Sequence, residues 1–134
     1  MTSVRWLACL ALLSVGCDQH PAAREVHGSV RVDGRAAEGV YVVLTEAVAA
    51  GAPPTASATA RTDPDGAFKI RVSSDGPFAV TAFWPSVLLD DGSVVEGPDR
   101  FGGRYRDPIQ PVTTFALPSG DEPATMEPIN LSRR

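Results

Sequence analysis

Thr62-Asp-Pro-Asp-Gly66 followed by Ala67-Phe-Lys-Ile-Arg-Val72 is the stretch that decides how the chain folds. Phe68, Ile70 and Val72 alternate with Lys69 and Arg71, which is the period of a strand with one face in a core and one in water. The preceding residues read as a tight turn. Pro64 presets φ at the second position, the Asp63 side chain can hold the turn, and Gly66 takes the left-handed place. The arrangement predicts a hairpin that returns the chain from a preceding strand, Thr55 to Arg61, whose Ala56, Ala58 and Ala60 face inward.

The same alternation extends in both directions. Upstream, Val26, Gly28, Val30 and Val32 share one face, and Asp33-Gly34 supplies residues that tolerate positive φ in a two-residue turn. Val40 to Thr45 is apolar on both faces, with Val40, Val42 and Leu44 against Tyr41 and Val43, and so reads as a central strand. An Ala/Gly-rich loop, Ala47 to Pro54, separates it from the next strand. Downstream, Phe78, Val80, Ala82 and Trp84 share a face. Residues 85–111, rich in Pro, Gly and Asp, read as one long irregular loop, the kind of segment that carries binding. Short strands near Thr113–Leu117 and Thr125–Leu131 close the chain, and Pro128 confines the last to an edge or a bulge. No helix start-and-stop pattern of useful length appears after residue 24. The expectation is an all-β domain over 25–134, a seven-stranded antiparallel β-sandwich.

The first residues are built differently. Arg5 is the only charge before residue 17, and Trp6 to Val15 is mostly apolar but too short for the roughly 20 residues of a membrane-crossing helix. A basic start, an apolar middle and small residues near a cut define a cleaved signal peptide, here 1–16. Leu13-Ser14-Val15-Gly16-Cys17 resembles the lipobox of bacterial lipoproteins, although Ser14 stands where Leu is preferred. Cys17 would carry the lipid. After cleavage it is the sole cysteine, so no disulfide partner exists for it. Residues 17–24 then form the lipidated Cys and a polar tether. The implied location is exported, lipid-anchored to the inner or outer membrane, facing the periplasm or the cell surface.

Charge narrows the partners. Removing residues 1–16 takes away Arg5 and no acid, moving the net charge from −4 to −5. An acidic chain with scattered cations does not suit a nucleic-acid backbone. Asp63-Pro-Asp65-Gly66 lacks the ligand spacing of a calcium loop, since Gly66 is fourth and the twelfth residue is Ser74. His20 falls in the tether and His27 on an outward face, which leaves neither a zinc set nor a Ser-His-Asp relay. Asp90-Asp91 and Asp121-Glu122 are the acid pairs a small hydrolase would need, but each lies beside Gly in a turn context. No metal, no cofactor and no catalytic residue is expected.

Several motifs recur in a fixed order: Val26-His-Gly-Ser-Val-Arg-Val-Asp-Gly-Arg35, Gly39-Val-Tyr-Val-Val43, Thr62-Asp-Pro-Asp-Gly-Ala-Phe68 and Gly76-Pro-Phe-Ala-Val-Thr81. In that order they resemble the carboxypeptidase regulatory-like, or transthyretin-like, domains. Tyr105-Arg-Asp-Pro108 and Met126-Glu-Pro-Ile-Asn-Leu131 resemble the tail of small lipoproteins of this type from Planctomycetes-like and Myxococcus-like bacteria. The resemblance implies a prealbumin-like sandwich, immunoglobulin-like in layout, used as a non-catalytic envelope module. Its partner would be an envelope protein or a cell-wall polymer. A carbohydrate-binding module is the competing expectation. The candidate binding residues are Trp84, Phe101, Arg104, Tyr105 and Arg106, because aromatics beside Arg are enriched where sugars and proteins are held. The alternative role for the same residues is structural, with Trp84 capping the core and Arg104 and Arg106 paired with Asp99 or Asp107.

Overall fold

The computed structural model describes residues 23–46 and 57–134, and their regular structure is strand throughout. In chain order the strands are β1 (Arg24–Val32), β2 (Arg35–Ala36), β3 (Tyr41–Glu46), β4 (Ser57–Arg61), β5 (Ala67–Val72), β6 (Phe78–Phe83), β7 (Ser86–Leu88), β8 (Val94–Glu96), β9 (Thr113–Phe115), β10 (Ala124–Thr125) and β11 (Ile129–Leu131). The expected signal peptide, Cys17 and His20 lie outside the described residues, as does the whole of the loop expected at 47–54.

β1 is the hub of the first sheet. It pairs antiparallel with β5 and β2 and parallel with β10 and β11. The second sheet runs in the order β4-β3-β6-β9, antiparallel throughout. β3 is therefore interior, as its two apolar faces require. The layers share one core: Val26, Val30 and Val32 from β1 and Phe68, Ile70 and Val72 from β5 on one side, Val42, Leu44, Val80 and Ala82 on the other. Gly28 belongs to this inward face for a steric reason. It pairs with Phe68, and a Cβ there would come within 2.4 Å of the Phe68 ring. The missing side chain is filled by the neighbouring aromatic.

Local turn chemistry acts as expected between β1 and β2. Asp33 and Gly34 both hold positive φ, 51° and 81°, the combination a type I′ hairpin needs. The Asp63–Gly66 turn is also formed: the Asp63 carboxylate accepts the N–H groups of Asp65 and Ala67, each at 2.9 Å, and Gly66 has φ 75°. Its topology corrects the hairpin expectation. β4 pairs with β3 while β5 pairs with β1, so the turn carries the chain from one sheet to the other. Gly66 is fixed at this crossing because its carbonyl accepts the Val30 N–H at 2.8 Å and a Cβ would meet the Val30 carbonyl at 2.6 Å.

Three further expectations are corrected. The seven-stranded, wholly antiparallel sandwich becomes eleven strands among the described residues, several of two or three residues, with one mixed sheet. The mixture arises because the chain end returns beside β1 in the same direction. The single strand expected at Thr125–Leu131 is two, β10 and β11, broken around Pro128, which has no N–H to give a ladder. The loop expected at 85–111 contains a hairpin, β7 and β8, joined by a turn in which Asp91 accepts the Ser93 N–H at 2.8 Å.

Candidate functional site

The segment after β6 is built by returning repeatedly to the edge of that strand. Arg100 N–H donates to the Trp84 carbonyl, Ala82 N–H donates to the Tyr105 carbonyl, and Val112 N–H donates to the Val80 carbonyl, each at 2.9 Å. Asp99 organises the middle. One carboxylate oxygen accepts the N–H of Trp84 at 2.8 Å and of Phe101 at 3.0 Å, and the other accepts Gly103 N–H at 3.0 Å. Asp99→Ala removes all three hydrogen bonds and is expected to destabilise the chain by about 2–3 kcal/mol. Hydrogen exchange is the check: the Phe101 and Gly103 amides should lose protection before the β1 and β5 amides do.

The sequence-selected residues are brought together here, but as packing. Trp84 is 8% exposed and Phe101 4% exposed. Their ring centroids lie 5.6 Å apart, and Tyr105 meets Phe101 edge-on at 5.2 Å. Trp84 Nε1–H donates to the Glu38 carbonyl at 3.0 Å, and the Tyr105 hydroxyl exchanges hydrogen bonds with the Ser132 N–H and carbonyl. The three rings extend the core into one end of the sandwich. Arg100 stacks on Trp84 with its guanidinium carbon 3.5 Å from the ring centroid, and burial lowers its pKa, with repulsion from Arg133 adding to the effect.

Arg104 and Arg106 take other partners than the acids expected for them. Arg104 donates to the carbonyls of Ser132 and Arg134, and Arg106 lies 4.6 Å over the Phe83 ring. The Asp99 carboxylate is taken by backbone, and Asp107 accepts the Ile109 N–H at 2.9 Å. The chain end is held further by Arg133, 3.0 Å from Asp33, and that hydrogen bond keeps the Asp33 carboxyl below its usual range.

His27 stands on the outward face of β1, hydrogen-bonded to Glu25, whose carboxyl it holds below the ordinary value. Asp90-Asp91 sits in the β7–β8 turn, and both acids are exposed, as are Asp121 and Glu122. Among the described residues no three His, Cys, Asp or Glu side chains gather as a metal set, and no helix is long and apolar enough to cross a membrane. The described residues form several recesses, of which two bear on the candidates. One of about 200 Å³ is lined by Trp84, Arg100, Arg61 and Val94, and one of about 420 Å³ lies between β9 and β11, lined by Phe115, Met126 and Ile129.

Sequence reasoning passed over one feature. Tyr41 and Phe83 are directly paired across β3 and β6, and their rings stack with centroids 5.0 Å apart and planes 4° from parallel. Both are half-buried on the outward face of the second sheet. The signal was present as an aromatic at an outward position in each strand, but only register places them side by side.

No family profile and no curated protein sequence matches the chain. Solved structures superpose on it at low scores. A 9R-lipoxygenase from Cyanothece PCC8801 superposes with a TM-score of 0.45 at 11% identity, over 81% of this chain and 16% of that one. A candidate carbohydrate-binding protein from Pseudomonas aeruginosa superposes with a TM-score of 0.45 at 15% identity, over 84% of this chain and 90% of that one. Likeness at this level carries no argument about fold or activity.

Proposed function

We propose that the chain is a lipid-anchored, non-catalytic β-sandwich of the bacterial envelope, of the transthyretin-like or carboxypeptidase regulatory-like kind, that acts by binding a neighbouring envelope component. The observation that carries the non-catalytic reading is how the polar groups are employed. The carboxylates of Asp63, Asp91, Asp99 and Asp107 each accept backbone N–H groups within their own turns, Asp99 that of Trp84 as well, and Trp84, Phe101 and Tyr105 close the core. These groups hold the fold. The anchor rests on the lipobox-like run ending at Cys17, seven residues before β1 begins. Two acyl chains would give stable membrane attachment, at about 0.8 kcal/mol per buried CH₂.

Labelling cells with radioactive palmitate tests the anchor. The wild-type protein should incorporate label and sediment with membranes, and Cys17→Ser should lose both properties. An unlabelled wild-type protein, or a native N-terminus at a residue other than Cys17, overturns it.

A carbohydrate-binding role is the second reading, and the outward Tyr41–Phe83 pair favours it. Trp84 and Tyr105, the pair expected to form such a platform, spend their rings on one another through Phe101.

A further inference from the structure

We infer that the outward face of the sheet built on β1 lies against the anionic headgroups of the bilayer that holds the anchor. This rests on the reading of the chain as lipid-anchored and adds which face the module turns to its membrane. Strand parity places Glu25, His27 and Arg31 of β1 outward together with Lys69 and Arg71 of β5, and register sets Arg71 beside Glu25 and Lys69 beside His27. Thr125 and Asn130, their outward neighbours on β10 and β11, are uncharged. Arg31, Lys69 and Arg71 are exposed, and no large apolar side chain stands among them. Three cations less one carboxylate leave this face at +2, on a chain of net charge −4. The acids at its rim are placed elsewhere: Asp33 is paired with Arg133, Glu127 lines the recess between β9 and β11, and Asp65 sits in the turn that crosses to the other sheet. That other sheet offers no comparable surface. Its outward Thr45, Ala79 and Thr81 are buried, and Arg61 shares a recess with Glu38.

The tether brings this face to the bilayer. Cys17 lies seven residues before Arg24, a reach of at most about 25 Å. The strand the tether enters is β1 itself, and the rows nearest its start hold Arg71 and Lys69. Each net cation near an anionic surface favours contact roughly fivefold, so a face at +2 is favoured roughly 25-fold. A free domain would gain little from that preference. An anchored one is already concentrated at the surface, so the same preference suffices to set its orientation. Acids elsewhere on the chain are screened beyond about 8–10 Å at physiological salt.

Lys69 is the only lysine of the chain, so amine labelling reports on this face. The acylated protein, inserted into vesicles of phosphatidylcholine alone or mixed with phosphatidylglycerol, is treated with a membrane-impermeant acetylating reagent, and modified Lys69 is followed by mass spectrometry. Labelling should be at least about threefold slower on the phosphatidylglycerol vesicles at low salt and equal on the two at high salt. Arg31→Gln/Arg71→Gln leaves the face without net charge and should abolish the protection, whereas Arg61→Gln should keep it. All three arginines are exposed, and circular dichroism of the variants should match wild type. Flotation with phosphatidylcholine vesicles reads the anchor, so a missing anchor and a missing contact register separately. A protein that floats with neither vesicle overturns the anchor and the inference with it. Equal labelling of a protein that floats with both, protection that survives high salt or Arg31→Gln/Arg71→Gln, or protection lost in Arg61→Gln overturns the inference alone.

Discussion

Trp84→Ala should destabilise the chain by about 3–5 kcal/mol, the usual cost of emptying a large aromatic site in a core. The indole fills the end of the sandwich, packs on Phe101 at 5.6 Å and donates to the Glu38 carbonyl at 3.0 Å. Its removal leaves a cavity lined by Phe101, strips Arg100 of the ring beneath it and leaves the Glu38 carbonyl without its indole donor. Chemical denaturation should show a lower midpoint with an unchanged slope. Trp84→Phe, which keeps most of the volume but not the donor, should cost about half as much. If Trp84→Ala kept wild-type stability, the ring would be free of the core and the binding role first expected for it would return.

Thr62→Val should cost about 2–5 kcal/mol although it conserves shape. Thr62 is 3% exposed. Its hydroxyl accepts the Val40 N–H at 2.9 Å and donates to the Ala37 carbonyl at 2.6 Å, bridging the segment between β2 and β3 to the end of β4. Valine removes both hydrogen bonds and leaves two buried backbone groups unpaired, each worth about 1–3 kcal/mol. Thr62→Ser keeps the hydroxyl and should lose only about 1 kcal/mol for the methyl group. A Thr62→Val protein as stable as Thr62→Ser would show that the bridge contributes nothing.

Much of the scaffold was legible because it depends on local rules. Phe68, Ile70 and Val72 point inward, as their alternation requires, and Asp33-Gly34 turns the chain through positive φ. The candidate site was legible only in part. Trp84, Phe101 and Tyr105 do cluster, but a ring in a loop and a ring in a core look the same in a sequence. What separates them is the path of the segment, which Asp99 and the β6 edge draw back onto the sandwich. The Tyr41–Phe83 row was hidden for a related reason. It depends on register between residues 42 positions apart, and several registers would satisfy the same alternation.

Side-chain period and backbone φ belong to a few consecutive residues, so the chain alone determined which positions are inward and where it must turn. Which strand lies beside which is set by contacts between distant segments whose local patterns are interchangeable. Only the tertiary structure decided that the Asp63 turn crosses between sheets, that β10 and β11 run parallel to β1, and that Arg61, Tyr41, Phe83 and Arg106 stand in one row.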